Sequence, residues 1–249
     1  MSGQTDTTAC VLIIGNEILS GKTQDANLRF FGLELARLGI RLAEARVIRD
    51  EHATIIDHVN ACRTRFSYVF TTGGIGPTHD DITAEAVARA FGVELILNEE
   101  AVARLRRSGG HLNEARLKMA RMPAGAELID NPISHAPGFR IANVFVLAGI
   151  PNIARAMFAS VAGGLSAGAR IHSASVDVFT REGDIAAPLE RIADAWPGVE
   201  IGSYPFVRDG VFGASLVVRG SDEALIGEVI DEIVTAMTAL GGDPQRPLG

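Results

Sequence analysis

Residues 71–83, TTGGIGPTHDDIT, combine residue types that suit the binding and cleavage of phosphate groups. Three glycines lie in this segment: Gly73, Gly74 and Gly76. Because glycine has no side chain, the backbone N–H groups of such a turn can approach an anion closely. Asp80 and Asp81 follow at once, and adjacent carboxylates beside an anion-binding turn favour a divalent cation. A purely structural interpretation stays open, in which the glycines form a turn and the carboxylates cap a helix.

A second polar segment, GNEILSGKTQD, adds further groups to this chemistry. Its Lys22 could neutralise a phosphate oxygen, and its Asp25 could join Asp80 or Asp81 in holding the ion. Asp25 is also a natural cap for the next helix. His79 could carry a proton or only hydrogen-bond within its loop, and both roles stay open. We therefore expect Asp80, Asp81 and His79 to be catalytic, and Asp25, Asp80 and Asp81 to be metal ligands.

Both polar segments follow apolar runs that predict buried strands, residues 10–14 and 68–70. Between them, residues 40–48 alternate as a strand does and residues 51–65 predict a helix. Thr83 is the predicted N-cap of the helix that follows the glycine segment. Strand, helix, strand, helix, strand is the doubly wound pattern, whose parallel strands end at one edge of the sheet. We therefore expect the two polar segments to open into one crevice.

Residues 13–27, IIGNEILSGKTQDAN, and residues 71–83 together resemble the molybdopterin-binding fold family, which includes the molybdopterin adenylyltransferases. They are more similar to the N-terminal domain of the competence/damage-inducible protein A family. The greatest similarity is to the molybdopterin-binding-like domain of eukaryotic FAD synthases, which shares GxTQDxN, GGIGPTHDD and a later GSYP at residues 202–205. The resemblance implies an α/β fold with a three-layer, doubly wound, mostly parallel sheet, and a small C-terminal α+β (KH-like) subdomain.

The resemblance also implies which residues line the ligand pocket. In these families the loop after the first strand, the glycine turn and a later Asn-Pro...Ala-Pro-Gly loop contribute to it. The expected ligand-binding residues are Glu17, Lys22, Asp25, Asn27, Gly73, Gly74, Gly76, Thr78, Thr83, Asn131, Pro137 and Gly138.

Several positions depart from the family pattern. Asn16 replaces a usual aspartate, Ala148 replaces a proline, and Asn152 replaces a glutamate. Ser134 and His135 stand where Gly-Thr is common, which either adds a contact or changes the shape of the loop. Fewer carboxylates near a metal site favour ligand binding without turnover.

The rest of the chain predicts helices at residues 99–107 and 113–122, a glycine-rich linker at 162–168, and then a different order of elements. That order is strand, helix, two strands and a final helix at residues 222–240. The GxxG at residues 210–213 matches the RNA-clamping loop of KH modules, but it lies between two strands and predicts a hairpin turn. We expect residues 1–9 to be disordered, 10–167 to form the molybdopterin-binding-like domain, 168–243 the α+β subdomain, and 244–249 a tail.

Composition excludes several other classes of protein. A formal net charge of −7 and a pI near 5.4 argue against a nucleic-acid surface. No apolar run approaches the ~20 residues that a membrane span needs, and the N-terminus lacks a signal pattern. The two cysteines form no metal or disulfide motif. We expect a cytoplasmic protein, and the resemblance implies a homo-oligomer.

Three functions remain open from the sequence. The first is a metal-dependent nucleotide pyrophosphatase acting on ADP-ribose, FAD or a related dinucleotide, with magnesium or cobalt as the divalent ion and potassium as an additional ion. The second is a molybdopterin- or nucleotide-binding protein without turnover. The third is a molybdopterin adenylyltransferase-like enzyme. In each case the expected partner is a small-molecule nucleotide or pterin.

Overall fold

The chain forms two compact units, residues 1–168 and 169–249. The computed structural model describes residues 7–107, 109, 111–165 and 171–245. The division falls at the end of the predicted glycine-rich linker. Residues 166–168 of that linker lie outside the described residues, whereas Ala162 closes a helix.

The first unit alternates strands and helices along the chain. Its elements are β1 (Thr8–Ile14), α1 (Asn16–Leu19), α2 (Asn27–Arg37), β2 (Arg41–Ile48), α3 (His52–Arg63), β3 (Tyr68–Thr72), α4 (Thr83–Phe91), β4 (Leu95–Leu97), α5 (Glu99–Arg107), α6 (Glu114–Lys118), β5 (Arg121–Pro123), β6 (Glu127–Ile129), β7 (Gly138–Ile141), β8 (Val144–Leu147) and α7 (Pro151–Ala162).

Six of these strands form one sheet in the order β2-β1-β3-β8-β7-β6. β2, β1, β3 and β8 are parallel, while β7 and β6 complete the sheet as antiparallel strands. β2 lies on one side of β1 in the sheet, and β3, which comes next in sequence, lies on the other side of β1. This reversal of strand order creates a crevice outside the carboxyl ends of β1 and β3, where ligands bind in open α/β sheets.

Helices cover both faces of the sheet, as the doubly wound pattern predicts. The alternation of β1 sends Val11 and Ile13 toward one face, where they join a cluster of buried aromatic rings that includes Phe31 and Phe70. Leu12 and the other alternate residues pack on the opposite face with residues of α3, α4 and α5. Because β1 is buried on both faces, its sequence reads as one continuous apolar run.

The predicted helix at residues 113–122 is wrong in its second half. Asn113 does cap a helix, but α6 ends at Lys118 and the chain then enters β5. β5 pairs antiparallel with β4 in a small two-stranded sheet. Pairing with β4 therefore decides the conformation of residues 121–123, and helical propensity does not.

The second unit has the predicted order of elements. They are β9 (His172–Val178), α8 (Glu182–Ala195), β10 (Glu200–Arg208), β11 (Val211–Gly220) and α9 (Glu223–Ala239), and the strands form an antiparallel sheet in the order β10-β11-β9. Arg208 pairs with Val211, so the GxxG segment begins in a two-residue hairpin turn and is not a KH loop. Its turn residues, Asp209 and Gly210, both have positive φ, which is the type I′ geometry.

Thr8, Ala9 and Gln245 pair with strands, although the sequence predicts disorder at residues 1–9 and a tail at 244–249. Residues 1–6 lie outside the described residues, but Thr8 and Ala9 already pair with β2. Within the predicted tail, Gln245 exchanges two backbone hydrogen bonds with Asp177 of β9, at 2.8 and 2.7 Å. Residues 246–249 lie outside the described part of the chain.

Candidate functional site

The two polar loops meet at the carboxyl edge of the large sheet. Gly73 has φ +105°, and a Cβ at this position would overlap the carbonyl oxygen of Ile14 at the end of β1. The Gly73 N–H also donates to the Leu147 carbonyl at the end of β8, at 3.2 Å. Glycine is required here because three strand ends converge on one backbone position. The expected common crevice is therefore present.

Thr83 holds the glycine turn in place through two hydrogen bonds and is not the N-cap that the sequence predicts. α4 begins at Thr83, with Ile82 in the N-cap position. The buried Thr83 hydroxyl donates back to the Gly73 carbonyl, and the Thr83 N–H donates to the Gly74 carbonyl, both at 3.0 Å. Gly74 has φ +67°, and a Cβ there would overlap the Thr83 hydroxyl. The threonine thus fixes the conformation of the turn.

The turn leaves three consecutive backbone donors free. Within the described chain, the N–H groups of Gly74, Ile75 and Gly76 have no hydrogen-bond partner. All three residues line the same cavity. Successive free N–H groups in a turn form an anion-binding nest, because their dipoles point to one place.

Asp80 and Asp81 lie directly beside this nest. The Thr78 hydroxyl is 2.5 Å from Asp80 Oδ1 and 2.5 Å from Asp81 Oδ2, so one hydroxyl bridges both carboxylates. The Thr78 N–H donates to Asp81 at 2.8 Å. A Cβ at Gly76 would lie 2.7 Å from Asp81 Oδ2, which explains the third glycine. The Thr78 hydroxyl and the backbone N–H of Asp80, assisted by the positive charge of Lys118, lower the pKa of Asp80, so that carboxylate is ionised at neutral pH.

Asp50 lies beside the first polar loop, although no sequence motif includes it. It follows β2, and its carboxylate accepts the Asn16 N–H at 3.3 Å. Its pKa is raised, first by burial and then by the negative charges of Glu17, Asp80 and Asp81, although the Asn16 N–H opposes the change. Asp50 is therefore electrostatically coupled to the acidic loop. Its position immediately after a predicted parallel strand was the available signal.

The cavity beside the nest has a volume of about 560 Å³ and both polar and apolar lining residues. Its polar lining consists of the nest and the side chains of Asp81, Glu85, Glu114, Lys118 and Arg121. Its apolar lining comes mainly from the β4–β5 sheet, α6 and β7. Its residues include Leu95, Leu97, Leu117, Met119 and Phe139. Such a cavity can hold a ligand with an anionic end and a flat or apolar end.

The expected site residues of the first polar loop lie in different places in the structure. Asn27 is 3% exposed and donates to the Gly149 carbonyl at 2.9 Å, next to Gly73. Its buried Oδ1 has no partner within the described chain. Asp25 instead accepts the Leu28 N–H at 2.8 Å at the start of α2, as a cap does. It lines a different cavity, beside Arg29 and Arg155.

Glu17 and Lys22 also have separate positions. A Cβ at Gly15 would overlap the Glu17 carboxylate, so Glu17 lies over the end of β1. Lys22 is exposed, and it is not among the described residues that line the 560 Å³ cavity.

The Asn131–Gly138 loop contributes to the site mainly through its shape. The Asn131 side chain is 2% exposed and is fully engaged within the loop, with Ser134 and the Ala136 carbonyl as acceptors. Pro137 lines the cavity. A Cβ at Gly138 would overlap Met157 and the Val146 carbonyl, so this glycine permits close packing. His135 has φ +61°, which is why glycine is the easier residue there.

His79 is displaced from the cavity. Its side chain is 99% exposed, and its Nδ1 lies 3.9 Å from Asp80 Oδ1. His79 is not among the described residues that line the cavity. A proton-transfer role for His79 would require the loop to fold over a bound ligand.

Asp80 and Asp81 fit a divalent ion as a two-carboxylate site, and Asp25 does not lie with them. Across the described ranges, no group of three or more His, Cys, Asp or Glu side chains forms a metal-ligand set. Mg²⁺ is commonly held by one or two carboxylates together with substrate phosphates and water. The chemistry of the Asp80–Asp81 pair therefore suits an ion that is shared with the ligand.

Comparison with known families agrees with this geometry. Residues 10–167 match the model described as "Probable molybdopterin binding domain", which covers most of the chain. The chain belongs to the molybdopterin-binding domain family. Residues 170–241, which make up most of the second unit, match "FAD synthase, middle domain". This molybdopterin-binding domain protein thus combines two family models in the order of its two units.

Similar proteins of the family occur in archaea, bacteria and animals. A protein of Archaeoglobus fulgidus is 33% identical over 78% of this chain and 84% of its own length. A CinA-like protein of Geotalea uraniireducens is 30% identical over 88% of this chain and 55% of its own length. A probable FAD synthase of Caenorhabditis elegans is 30% identical over 94% of this chain and 50% of its own length. The chain therefore spans about half of the last two relatives.

A solved structure supports the fold of the first unit. CinA of Thermoplasma acidophilum has 31% sequence identity and a TM-score of 0.60, and covers 64% of this chain and 97% of its own. Membership of the family indicates a small-molecule pterin or nucleotide ligand. Among the described helices of this family member, none is long and apolar enough to cross a membrane.

Proposed function

We propose that this chain is a divalent-cation-dependent nucleotide pyrophosphatase that hydrolyses the diphosphate of ADP-ribose, FAD or a related dinucleotide. The observation that carries the proposal is the set of three free N–H groups beside Asp80 and Asp81, in a cavity that also has an apolar lining. A dinucleotide matches both kinds of lining, because its diphosphate is anionic and its base or flavin is flat and apolar.

The residues of the chain have separate tasks in this proposal. The N–H groups of Gly74, Ile75 and Gly76 hold diphosphate oxygens and stabilise the negative charge that grows on them during hydrolysis. Asp80 and Asp81 would hold the divalent ion, and Thr78 orients both carboxylates. Such an ion, when bound, supplies Lewis-acid polarisation of a phosphoryl oxygen. The apolar lining orients the base, so that the diphosphate lies against the nest.

The defining experiment is AMP release from ADP-ribose and from FAD by the purified protein. We would measure it with magnesium, with cobalt plus potassium, and with a chelator, alongside the Asp81→Asn variant. The proposal expects metal-dependent AMP release that the variant lacks. Equal turnover by wild type and variant would contradict the role of the acidic pair.

A binding protein without turnover is the second candidate function. Asn16, Ala148 and Asn152 replace residues that the family usually has, and two of these changes remove a carboxylate. In that case ADP-ribose or FAD would raise the melting temperature without any release of AMP. Consumption of ATP only when molybdopterin is supplied would instead indicate adenylyl transfer.

A further inference from the structure

Lysine is rare in this chain, and one of its two lysines lies in the site. Among 23 basic residues only Lys22 and Lys118 are lysines. Lys22 is exposed in the loop that follows α1. Lys118, at the end of α6, is only partly exposed, and its Nζ donates to the carbonyl oxygen of Thr78. The contact joins positions 40 residues apart in sequence and brings an ammonium group to the acidic loop.

The position of Lys118 suits the recognition of an anion. Lys118 lines the cavity together with Gly74, Ile75 and Gly76, whose N–H groups are free within the described chain, and with the charged side chains of Glu85, Glu114 and Arg121. Among the described residues, no carboxylate forms an ion pair with its ammonium group. A carbonyl oxygen satisfies only part of the hydrogen-bonding capacity of an ammonium group, which has three donors. The remaining donors are available to a ligand in the cavity.

We propose that Lys118 is the residue that binds the substrate phosphate, together with the nest formed by Gly74, Ile75 and Gly76, and that Lys22 does not have this role. The inference rests on the proposed function to the extent that the ligand is a nucleoside diphosphate derivative. Lys118 contacts the diphosphate as a compact positive charge, and the backbone donors of the nest contact its oxygens as well. Its contact with Thr78 also connects phosphate binding to the residue that bridges Asp80 and Asp81.

The rarity of lysine permits a direct test on the unmodified protein. Pyridoxal 5′-phosphate followed by borohydride labels accessible lysine amines, and its phosphate directs it to anion sites. Peptide mass spectrometry then compares Lys118 with Lys22 in the same sample. We expect Lys118 to be labelled preferentially, and ADP-ribose or inorganic pyrophosphate to reduce its labelling by about tenfold while Lys22 is unaffected.

The labelling experiment separates this inference from the hydrolase proposal. Protection of Lys118 by pyrophosphate without any AMP release would support the phosphate contact and reject the pyrophosphatase. A probe that raises the melting temperature but does not protect Lys118 would overturn the inference and leave the ligand class intact. Absence of binding by ADP-ribose, AMP and pyrophosphate would overturn it as well.

Variants distinguish a phosphate contact from a purely structural contact with Thr78. Lys118→Met should weaken binding of ADP-ribose by roughly 10–100-fold, and Lys118→Arg should stay within a few-fold of wild type, since the charge is kept. Adenosine, which has no phosphate, should bind Lys118→Met and wild type equally. Arg191→Met removes an exposed positive charge from α8 and is the matched control. Equal loss of adenosine and ADP-ribose binding in Lys118→Met would show that the lysine only supports the loop.

Discussion

The chain contains two glycine segments of the form GxxG, and they illustrate how topology decides what a glycine turn can do. Residues 73–76 connect a parallel strand to a helix, and three of their N–H groups are free beside a cavity. Residues 210–213 begin in a β-hairpin, and the strands on both sides pair from Glu200 to Arg219. In the hairpin the ladder uses the backbone groups, whereas the strand-to-helix turn leaves them for a ligand.

The largest effect is expected from comparing Gly74→Ala with Gly210→Ala. Both glycines have similar positive φ, +67° and +79°, so both variants carry about 1 kcal/mol of backbone strain. Nothing lies within 4 Å of a Cβ at Gly210, but a Cβ at Gly74 overlaps the Thr83 hydroxyl. Gly74→Ala should therefore lose ADP-ribose binding by at least about 100-fold, and Gly210→Ala should bind normally. Calorimetric titration and thermal melts measure both effects. Equal binding by the two variants would contradict the ligand role of the first turn.

Asp81→Asn and Asp222→Asn test the carboxylates that lie near helix starts in the two units. Asp222 caps α9, and asparagine caps a helix almost as well. Asp81 is expected to hold a cation, which asparagine does poorly because it has no charge. We expect Asp81→Asn to lower metal-dependent AMP release by about 100-fold or more with a nearly unchanged melting temperature. Asp222→Asn should change neither quantity. A large loss of stability in Asp81→Asn would indicate a structural carboxylate instead.

An effect of intermediate size on stability is expected at Thr83, which contacts the turn after β3, in comparison with Thr71 on β3. Thr83→Val removes the donor to the Gly73 carbonyl and should destabilise the fold by about 1–3 kcal/mol, because that carbonyl loses its hydrogen bond. The buried Thr71 hydroxyl has no partner within the described residues, so Thr71→Val should be neutral or slightly stabilising. Denaturant unfolding at equilibrium measures both changes. If Thr71→Val is the more destabilising variant, the assigned hydrogen bond is not what holds the turn.

The smallest expected effect is a change in melting temperature that depends on the protonation of Asp50. The pKa of Asp50 is raised in the folded protein, so the folded state binds its proton more tightly than the unfolded state does. The free energy of unfolding therefore falls as the pH rises from the ordinary pKa of an aspartate, near 3.8, to the higher pKa of Asp50 in the folded protein. Asp50→Asn should raise the melting temperature at pH 7 by about 2 °C, a small gain because water screens the charge. Melts at lower pH check the sign, since the gain should disappear once Asp50 is protonated in both states.

Much of the fold could be predicted because local signals and topology agree. The buried strands β1 and β3 have continuous apolar runs, and each ends at a glycine whose conformation the site requires. β4 and β5 were missed because three-residue strands have too little sequence to show a period. Their stability depends on each other, which only the three-dimensional structure shows.

The site was predictable to the extent that its residues are close in sequence. The glycine turn and the acidic pair lie within nine residues of one another, and the structure keeps them together. Lys118 reaches the same place from 40 residues away, at the end of a short helix, and no local pattern indicates it. The predicted grouping of Asp25 with Asp80 and Asp81 relied on shared chemistry, whereas Asp25 caps α2. Site residues that are close in sequence are thus predicted more reliably than residues that are grouped only by similar chemistry.

The small bridge between Gln245 and Asp177 has a consequence for solubility. β9 and β10 are the two edge strands of the C-terminal sheet, and exposed edges invite strand addition from other chains. Gln245 occupies hydrogen-bonding groups near the carboxyl end of the outer β9 edge, and Pro205 removes an N–H from β10. Each edge is therefore a poorer template for aggregation at that point, and a residue beyond the last helix blocks one end of the β9 edge.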